Sequence, residues 1–208
     1  MYCLLLKIGG VLFTSNDSEV IMKTVYLTAG PRGAGKSTYV SKIQEYHSEV
    51  QVVDRDRLFE AEFGMTGFDP YSGMHLVAET VLNERIKDVI RSADDEAKII
   101  IDSWNGFPDT RLKFIRQFRE LAVERVVCWY FVTPLAVCLE WFKQKPGLTG
   151  LSDRCCTWDF NLYHEQASDI NYPDHDVYQP DTEYDNTRFD LICRINPLQL
   201  TLPNVPLI

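Results

Sequence analysis

No apolar run in the sequence reaches the length of a bilayer span. Positive charge is scarce: 21 Lys and Arg stand against 30 Asp and Glu, a net charge of -9. A protein that grips nucleic acid over many phosphates is usually basic on at least one face. This balance excludes a broad electrostatic grip and leaves room only for a local basic pocket. The six cysteines (Cys3, Cys128, Cys138, Cys155, Cys156, Cys193) include no C-x-x-C pair and have no histidine set beside them, so no zinc pattern is present. Cys155 and Cys156 are adjacent, which is awkward for a mutual disulfide, and Cys128 lies in an apolar run. The cysteines are expected to be reduced and mostly buried, in a cytoplasmic setting. His47, His75, His164 and His175 are scattered without metal spacing and read as surface or helix residues. Internal repeats, low-complexity tracts and linkers are also missing.

What is present suits one domain: 208 residues, 45% of them hydrophobic, enough for a sizeable core. The first residues, "MYCLLLKIGGVLF", lack a basic n-region, and Lys7 interrupts their apolar part, unlike a signal peptide. Met22 offers a second possible start, because "MKTVYLTAG" would open directly on a strand. The expected organisation is an extension over 1–22, a domain over 23–196 and a tail over 197–208.

Along the chain, short apolar strands alternate with helices. Residues 23–29 read as a buried strand, 30–37 as a loop, and Ser37 to about Tyr46 as a helix. "EVQVVDRD" is a second strand ending in acid, followed by a helical turn, "RLFEAEFG", and a Gly/Asp/Pro loop over 64–73. In "GMHLVAETVLNERIKDVIRSA", Leu76, Val77, Val81, Leu82, Ile86, Val89 and Ile90 recur at helical steps. "AKIIIDSWN" is a third strand, "PDTRLKFIRQFRELA" a helix with Asp109 as expected N-cap, and "ERVVCWYFV" a fourth strand. "PLAVCLEWFKQ" and "TWDFNLYHEQAS" read as helices, and "RFDLICRI" as a fifth strand. The acidic run "DHDVYQPDTEYD" reads as a solvated loop. Such alternation predicts an α/β fold with a mostly parallel sheet covered on both faces, a doubly wound three-layer sandwich. Trp129, Tyr130 and Phe131 are expected in the core, whereas Trp141 and Trp158 are candidates to stack on adenine or on a substrate base.

The chemistry is concentrated after the first strand. Gly30, Gly35, Lys36 and Ser37 complete G-x-x-x-x-G-K-[ST] within "GPRGAGKST". In such a loop, backbone N–H groups turn inward on phosphate oxygens, and the following helix adds its positive dipole end. Lys36 would reach the β- and γ-phosphates of ATP, and the Ser37 hydroxyl would ligate Mg²⁺. Ligands of doubly wound sheets lie beyond the carboxyl ends of the strands. Asp54 and Asp56 stand at the end of the second strand and Asp102 at the end of the third, so all three can approach one Mg²⁺–phosphate centre. Asp102 is the expected metal partner, and Asp56 or Asp54 is placed to take a proton from an attacking hydroxyl.

The order "GPRGAGKST", "VVDRD", "IIIDSWN", Arg111 in a helix and "WYFVTPLAVC" resembles the P-loop kinases of the polynucleotide kinase and zeta-toxin type, over about residues 23–150. The resemblance implies a five-stranded sheet of order 2-3-1-4-5 and transfer of the γ-phosphoryl of ATP to a hydroxyl. That hydroxyl is the 5′-OH of a polynucleotide in one branch, to which "VVDRD" is nearest, and belongs to a small molecule such as a nucleoside or sugar nucleotide in others. It makes Gly30, Gly33, Ala34, Gly35, Lys36, Ser37 and Thr38 the nucleotide-binding set and Asp56 the general base. Ser37 and Asp102 would hold the metal, and Asp54, Arg57, Asn105 and Arg111 would lie on the acceptor side. The sequence departs from the family pattern at Phe59, where an arginine is frequent, and at Trp104, where threonine is common. Trp141 and Lys145 stand where the lid helix usually carries arginines. Lys143, Lys145 or Arg154 would then supply the lid charge, and lysine lacks arginine's bidentate fork.

Overall fold

The computed structural model describes residues 22–69, 71–145, 153–164 and 188–199. The N-terminal extension over 1–21, the acidic run with His175, and the end of the tail lie outside the described residues. Strands and helices follow in the order β1 (Thr24–Ala29), α1 (Lys36–Tyr46), β2 (Gln51–Asp54), α2 (Arg55–Phe63), α3 (Gly73–Ser92), β3 (Lys98–Asp102), α4 (Pro108–Glu120), β4 (Arg125–Phe131), α5 (Leu135–Gln144), α6 (Asp153–His164) and β5 (Leu191–Ile195).

The strands form one sheet of order β2-β3-β1-β4-β5, and every pairing in it is parallel. Side chains alternate across the faces of a strand with period two, and this divides the core. Val25, Leu27, Ile99, Ile101, Val126, Cys128 and Tyr130 face α3 and α4, where Leu82, Ile86, Ile90, Ile115 and Phe118 are buried. Tyr26, Ile100, Val127, Trp129 and Phe131 face the opposite layer, with Tyr39, Val40 and Ile43 of α1 and Cys138 and Phe142 of α5. Trp129, Tyr130 and Phe131 are thus core residues. Helix α6 contributes Tyr163 to the first cluster and Cys156 to the second.

Several local expectations change. Helix α4 begins one residue after Phe107, with Pro108 at its first position, so Asp109 lies in the first turn and is not the cap. In α3 the buried stripe starts at Ala78; Leu76 and Val77, which share the helical spacing, are 68% and 50% exposed. Helix α2 is longer than the expected turn and starts directly at the end of β2, where the Asp54 side chain accepts a hydrogen bond from the Arg57 N–H at 3.1 Å. Helix α6 starts at Asp153, four residues ahead of the expected Thr157. The described cysteines are unpaired thiols, with Cys128, Cys138 and Cys156 buried.

Candidate active site

The loop between β1 and α1 is held from behind by α5. Gly33 has φ +75°, and a Cβ there would lie 2.0 Å from the Cys138 carbonyl oxygen, so both the left-handed backbone and the close approach of α5 require glycine. The Trp141 ring would come within 3.0 Å of a Cβ at Gly35, so this residue of the expected lid packs on the loop. The Thr133 hydroxyl, buried at the end of β4, donates to the Ala34 carbonyl at 2.8 Å. Lys36 folds back over the loop and donates to the carbonyls of Gly30 at 2.7 Å and Pro31 at 3.0 Å. Ser37 and Thr38 are exposed at the start of α1.

Burial pulls the Lys36 ammonium below its ordinary pKa of 10.5. The carboxylates of Asp102, Asp159 and Asp56 oppose that shift, and the Lys145 charge adds to it, so four charged groups from four separate places in the chain act on this one lysine. Asp102 is buried and accepts from the Thr28 hydroxyl at 2.7 Å. It stands opposite Asp54 in the β2–β3 register. Burial raises the Asp54 pKa; the Arg57 N–H opposes this, and the nearby Asp102 and Asp56 charges add to it.

Asp56, in the first turn of α2, receives two cations: Arg55 Nη1 at 2.9 Å and Lys145 Nζ at 3.2 Å. Lys145 therefore reaches the acid expected to act as base. The guanidinium of Arg55 also lies 4.3 Å above the ring of buried Phe59, the residue standing where an arginine is frequent. Arg57 is exposed and turns to Asp54 at 3.4 Å and to the Ser41 hydroxyl at 3.1 Å. Arg154 is exposed in the first turn of α6 and forms no ion pair among the described residues, while Lys143 pairs with Asp153 at 3.0 Å.

Two residues expected on the acceptor side belong to the interior. Arg111 is fully buried and donates to the carbonyls of Asn105 at 2.9 Å and Gly106 at 3.0 Å. Asn105 is fully buried too; it donates to the carbonyls of Thr28 at 2.7 Å and Ser103 at 3.1 Å and accepts from the Tyr163 hydroxyl at 3.2 Å. This network fixes the β3–α4 turn against β1 and α6, and neither side chain presents a polar group at the surface.

Sequence reasoning missed Asp159. This fully buried carboxylate on α6 accepts from the Arg32 backbone N–H at 3.3 Å, from Arg32 Nε at 3.1 Å and from the Trp104 indole N–H at 3.1 Å. Beside it, the Cys156 thiol donates to the Arg32 carbonyl at 3.3 Å. Cys156, Asp159, Leu162 and Tyr163 share the buried stripe of α6. The available signal was an acid at a core position of that stripe.

The family model AAA_33, described as an AAA domain, matches residues 25–151. No curated protein matches the sequence. Among solved structures, a chain of the Pnkp1/Rnl/Hen1 RNA repair complex superposes with a TM-score of 0.61 at 14% identity, covering 82% of this chain and 56% of that one. This chain thus spans little more than half the length of that protein. A Pnkp1/Rnl/Hen1 structure also matches with a TM-score of 0.52 at 14% identity, over 80% of this chain and 52% of the other. A protein from Chloroflexus aurantiacus, provisionally called a kinase, gives a TM-score of 0.57 at 12% identity, over 88% and 91% of the two chains. At these identities the likeness is one of fold.

Proposed function

The chain belongs to the AAA_33 family, whose model covers the phosphate loop and both acid-bearing strand ends, and from that premise we propose that it is an ATP-dependent kinase acting on the 5′-hydroxyl of a polynucleotide. The observation that carries this reading is the acid set beside the phosphate loop: Asp54 opposite Asp102 at the carboxyl ends of β2 and β3, and Asp56 two residues on, reached at 3.2 Å by Lys145 from the end of α5. A carboxylate there can take the proton of an acceptor hydroxyl, as phosphoryl transfer to an alcohol requires.

In this reading the N–H groups of Gly33, Gly35, Lys36, Ser37 and Thr38 and the Lys36 ammonium hold the β- and γ-phosphates. Asp56 accepts the proton of the acceptor hydroxyl as its oxygen bonds to the γ-phosphorus. The bond from that phosphorus to the β–γ bridging oxygen breaks, and ADP leaves with the electron pair. Lys145, already at Asp56, supplies the positive charge that the lid arginines give in related kinases. Asp54 and Arg57, at the start of α2, border the acceptor. Arg154 stays a more distant candidate for lid charge.

The donor set suits Mg²⁺. Asp54, Asp56 and Asp102 are close enough for the last two to raise the pKa of the first. No cluster of three or more His, Cys, Asp or Glu able to hold a metal occurs among the described residues, so phosphate oxygens and waters would have to complete the coordination of such an ion. Ser37 and Asp102 would hold it, and when bound it neutralises charge on the phosphates.

Phosphoryl transfer from γ-labelled ATP tests the reading, with 5′-OH oligonucleotides, nucleosides and nucleotide sugars as acceptors and Lys36→Ala as the blank. Label on the oligonucleotide is expected. Asp56→Asn should lower kcat by about 10²–10⁴-fold and leave ADP binding intact. Label confined to a small molecule would favour the second reading, a metabolite kinase, which the net charge of -9 supports. Phosphate release without any acceptor, undiminished in Asp56→Asn, would point to an ATP-hydrolysing protein.

A further inference from the structure

Three aromatic rings meet beside the phosphate loop. Trp104 and Phe107 meet edge to face at 5.3 Å, Phe107 and Trp158 at 5.9 Å, and the two indoles lie 8° from parallel with centroids 6.4 Å apart. Phe107 is 44% exposed and Trp158 49% exposed. Trp104 is fixed: its indole N–H is held by Asp159, and its ring fills the space where a Cβ at Gly106 would come within 2.7 Å. The same Asp159 holds Arg32 of the phosphate loop, so one carboxylate links the aromatic surface to that loop.

Two further observations mark these rings as more than packing. Phe107 is the N-cap of α4 and makes no side-chain cap hydrogen bond. Serine, threonine, aspartate or asparagine would normally stand there; the position is given instead to a ring that meets Trp104 and Trp158 and stays 44% exposed, and a local rule broken in this way is a mark of functional constraint. The location is also informative. Trp104 rises two residues beyond the end of β3, and β3 lies between β1, which leads into the phosphate loop, and β2, which leads into Asp56.

We propose that Trp104, Phe107 and Trp158 form a stacking surface for the terminal nucleobase of the acceptor. This rests on the polynucleotide kinase reading and specifies how such a substrate is held. Every base has a π-face, and stacking does not require a basic protein. That reconciles a nucleic-acid substrate with a net charge of -9: one terminal base is gripped by rings, and no long run of phosphates needs to be tracked. Arg32, whose side chain is 38% exposed, is the cation at the rim.

The test uses the full chain, a 5′-OH dinucleotide and its counterpart with an abasic 5′ residue. Trp158→Ala and Phe107→Ser should each raise the KM for the base-bearing acceptor about tenfold, within the range of one lost stacking contact. Neither should change the KM for ATP or for the abasic acceptor. Phe107→Ser supplies the missing cap but gives up the ring contacts with Trp104 and Trp158, so its Tm should move by no more than about 4 °C while its acceptor KM worsens, a pairing that a purely structural role does not produce. An unchanged acceptor KM in both variants overturns the proposal. So does a rise confined to ATP, which would assign the rings to adenine. Quenching of tryptophan emission by the dinucleotide in the presence of ADP separates this idea from the kinase reading. Base-dependent quenching that Trp158→Ala abolishes, without phosphoryl transfer, supports the surface and counts against the kinase reading. No quenching by either dinucleotide overturns the surface.

Discussion

Asp159→Ala is the most informative single change outside the phosphate loop. It removes the shared acceptor of three donors, all brought to a side chain with no solvent exposure. The Trp104 indole and the Arg32 backbone N–H would each lose a hydrogen bond to a charged group, worth roughly 1.5 kcal/mol. The Arg32 guanidinium adds less, about 0.5 kcal/mol, because it is partly exposed and water replaces its partner. Relief from burying the carboxylate offsets part of this sum, which leaves a net loss of about 2–3 kcal/mol. For a domain of this size each kcal/mol moves Tm by about 2–4 °C, so thermal unfolding should shift down by roughly 5–10 °C. A merely structural acid would do only that. Because Asp159 also anchors the loop at Arg32, ADP affinity should fall about tenfold, equivalent to about 1.4 kcal/mol, read by isothermal titration below the unfolding transition. A Tm within about 2 °C of wild type, together with unchanged ADP affinity, would refute the reasoning from buried geometry.

Gly33→Ala should abolish measurable nucleotide affinity, since it combines a left-handed backbone cost of about 1–2 kcal/mol with a contact at 2.0 Å against the Cys138 carbonyl. Gly64→Ala is the control: φ is +69° but nothing lies within 4 Å, so only the smaller backbone cost should appear, and a nucleotide affinity like that of Gly33→Ala would sink the close-approach argument. Lys145→Ala should leave Tm nearly unchanged, because its pair with Asp56 is solvent-exposed and worth under about 1 kcal/mol, while kcat drops at least about tenfold if Lys145 acts on the transferring group. Asp54 tests the electrostatics of burial. Its folded pKa lies above the ordinary 3.8, so the folded state binds this proton more tightly. The stability linked to Asp54 is therefore full below 3.8 and declines as pH rises through the raised value. Asp54→Asn keeps a competent helix cap and removes the decline. Its Tm relative to wild type should climb with pH across that window and then level off, and a difference independent of pH between about pH 3 and pH 7 would refute the assignment.

The phosphate loop was legible because its residues are contiguous and an apolar strand leads into it. The acids after β2 and β3 were legible for a related reason: β-branched runs mark where strands end, and a parallel sheet places those ends together. The misses share a different cause. Leu76 and Val77 continue the helical period of α3, but periodicity cannot say where the sheet beneath the helix stops. The cap of α4 was misassigned because Asp109 has the chemistry of a cap, whereas Pro108 at the first helical position places Phe107 there. Asn105 and Arg111 carry the polar chemistry of a substrate site, yet the chain uses them to tie down a turn, and only coordinates distinguish the two. Asp159 shows in the sequence only as an acid on the buried stripe of α6; its partners Arg32 and Trp104, 127 and 55 residues away, do not.

These long-range contacts bear on how so acidic a chain would handle phosphate under the proposed function. Net charge is a poor guide here, because the cations of the site are compensated locally. Arg32 is matched by Asp159, Arg55 and Lys145 by Asp56, and Lys36 by two carbonyls. The Lys145 pair is exposed, so it holds the lysine close at little energetic commitment. In the proposed reading, a polyphosphate entering the loop would offer more negative charge than the carboxylate it displaces. The exchange therefore costs little, and it uncovers the Asp56 oxygen that Lys145 touches. Asp159 differs in kind. It is buried, and its donors include a loop amide, so its pair with Arg32 survives as scaffold. The site thus separates cations that can change partner from a carboxylate that cannot, and the separation follows burial: Lys145 and Asp56 are partly exposed, whereas Asp159 has no exposure at all.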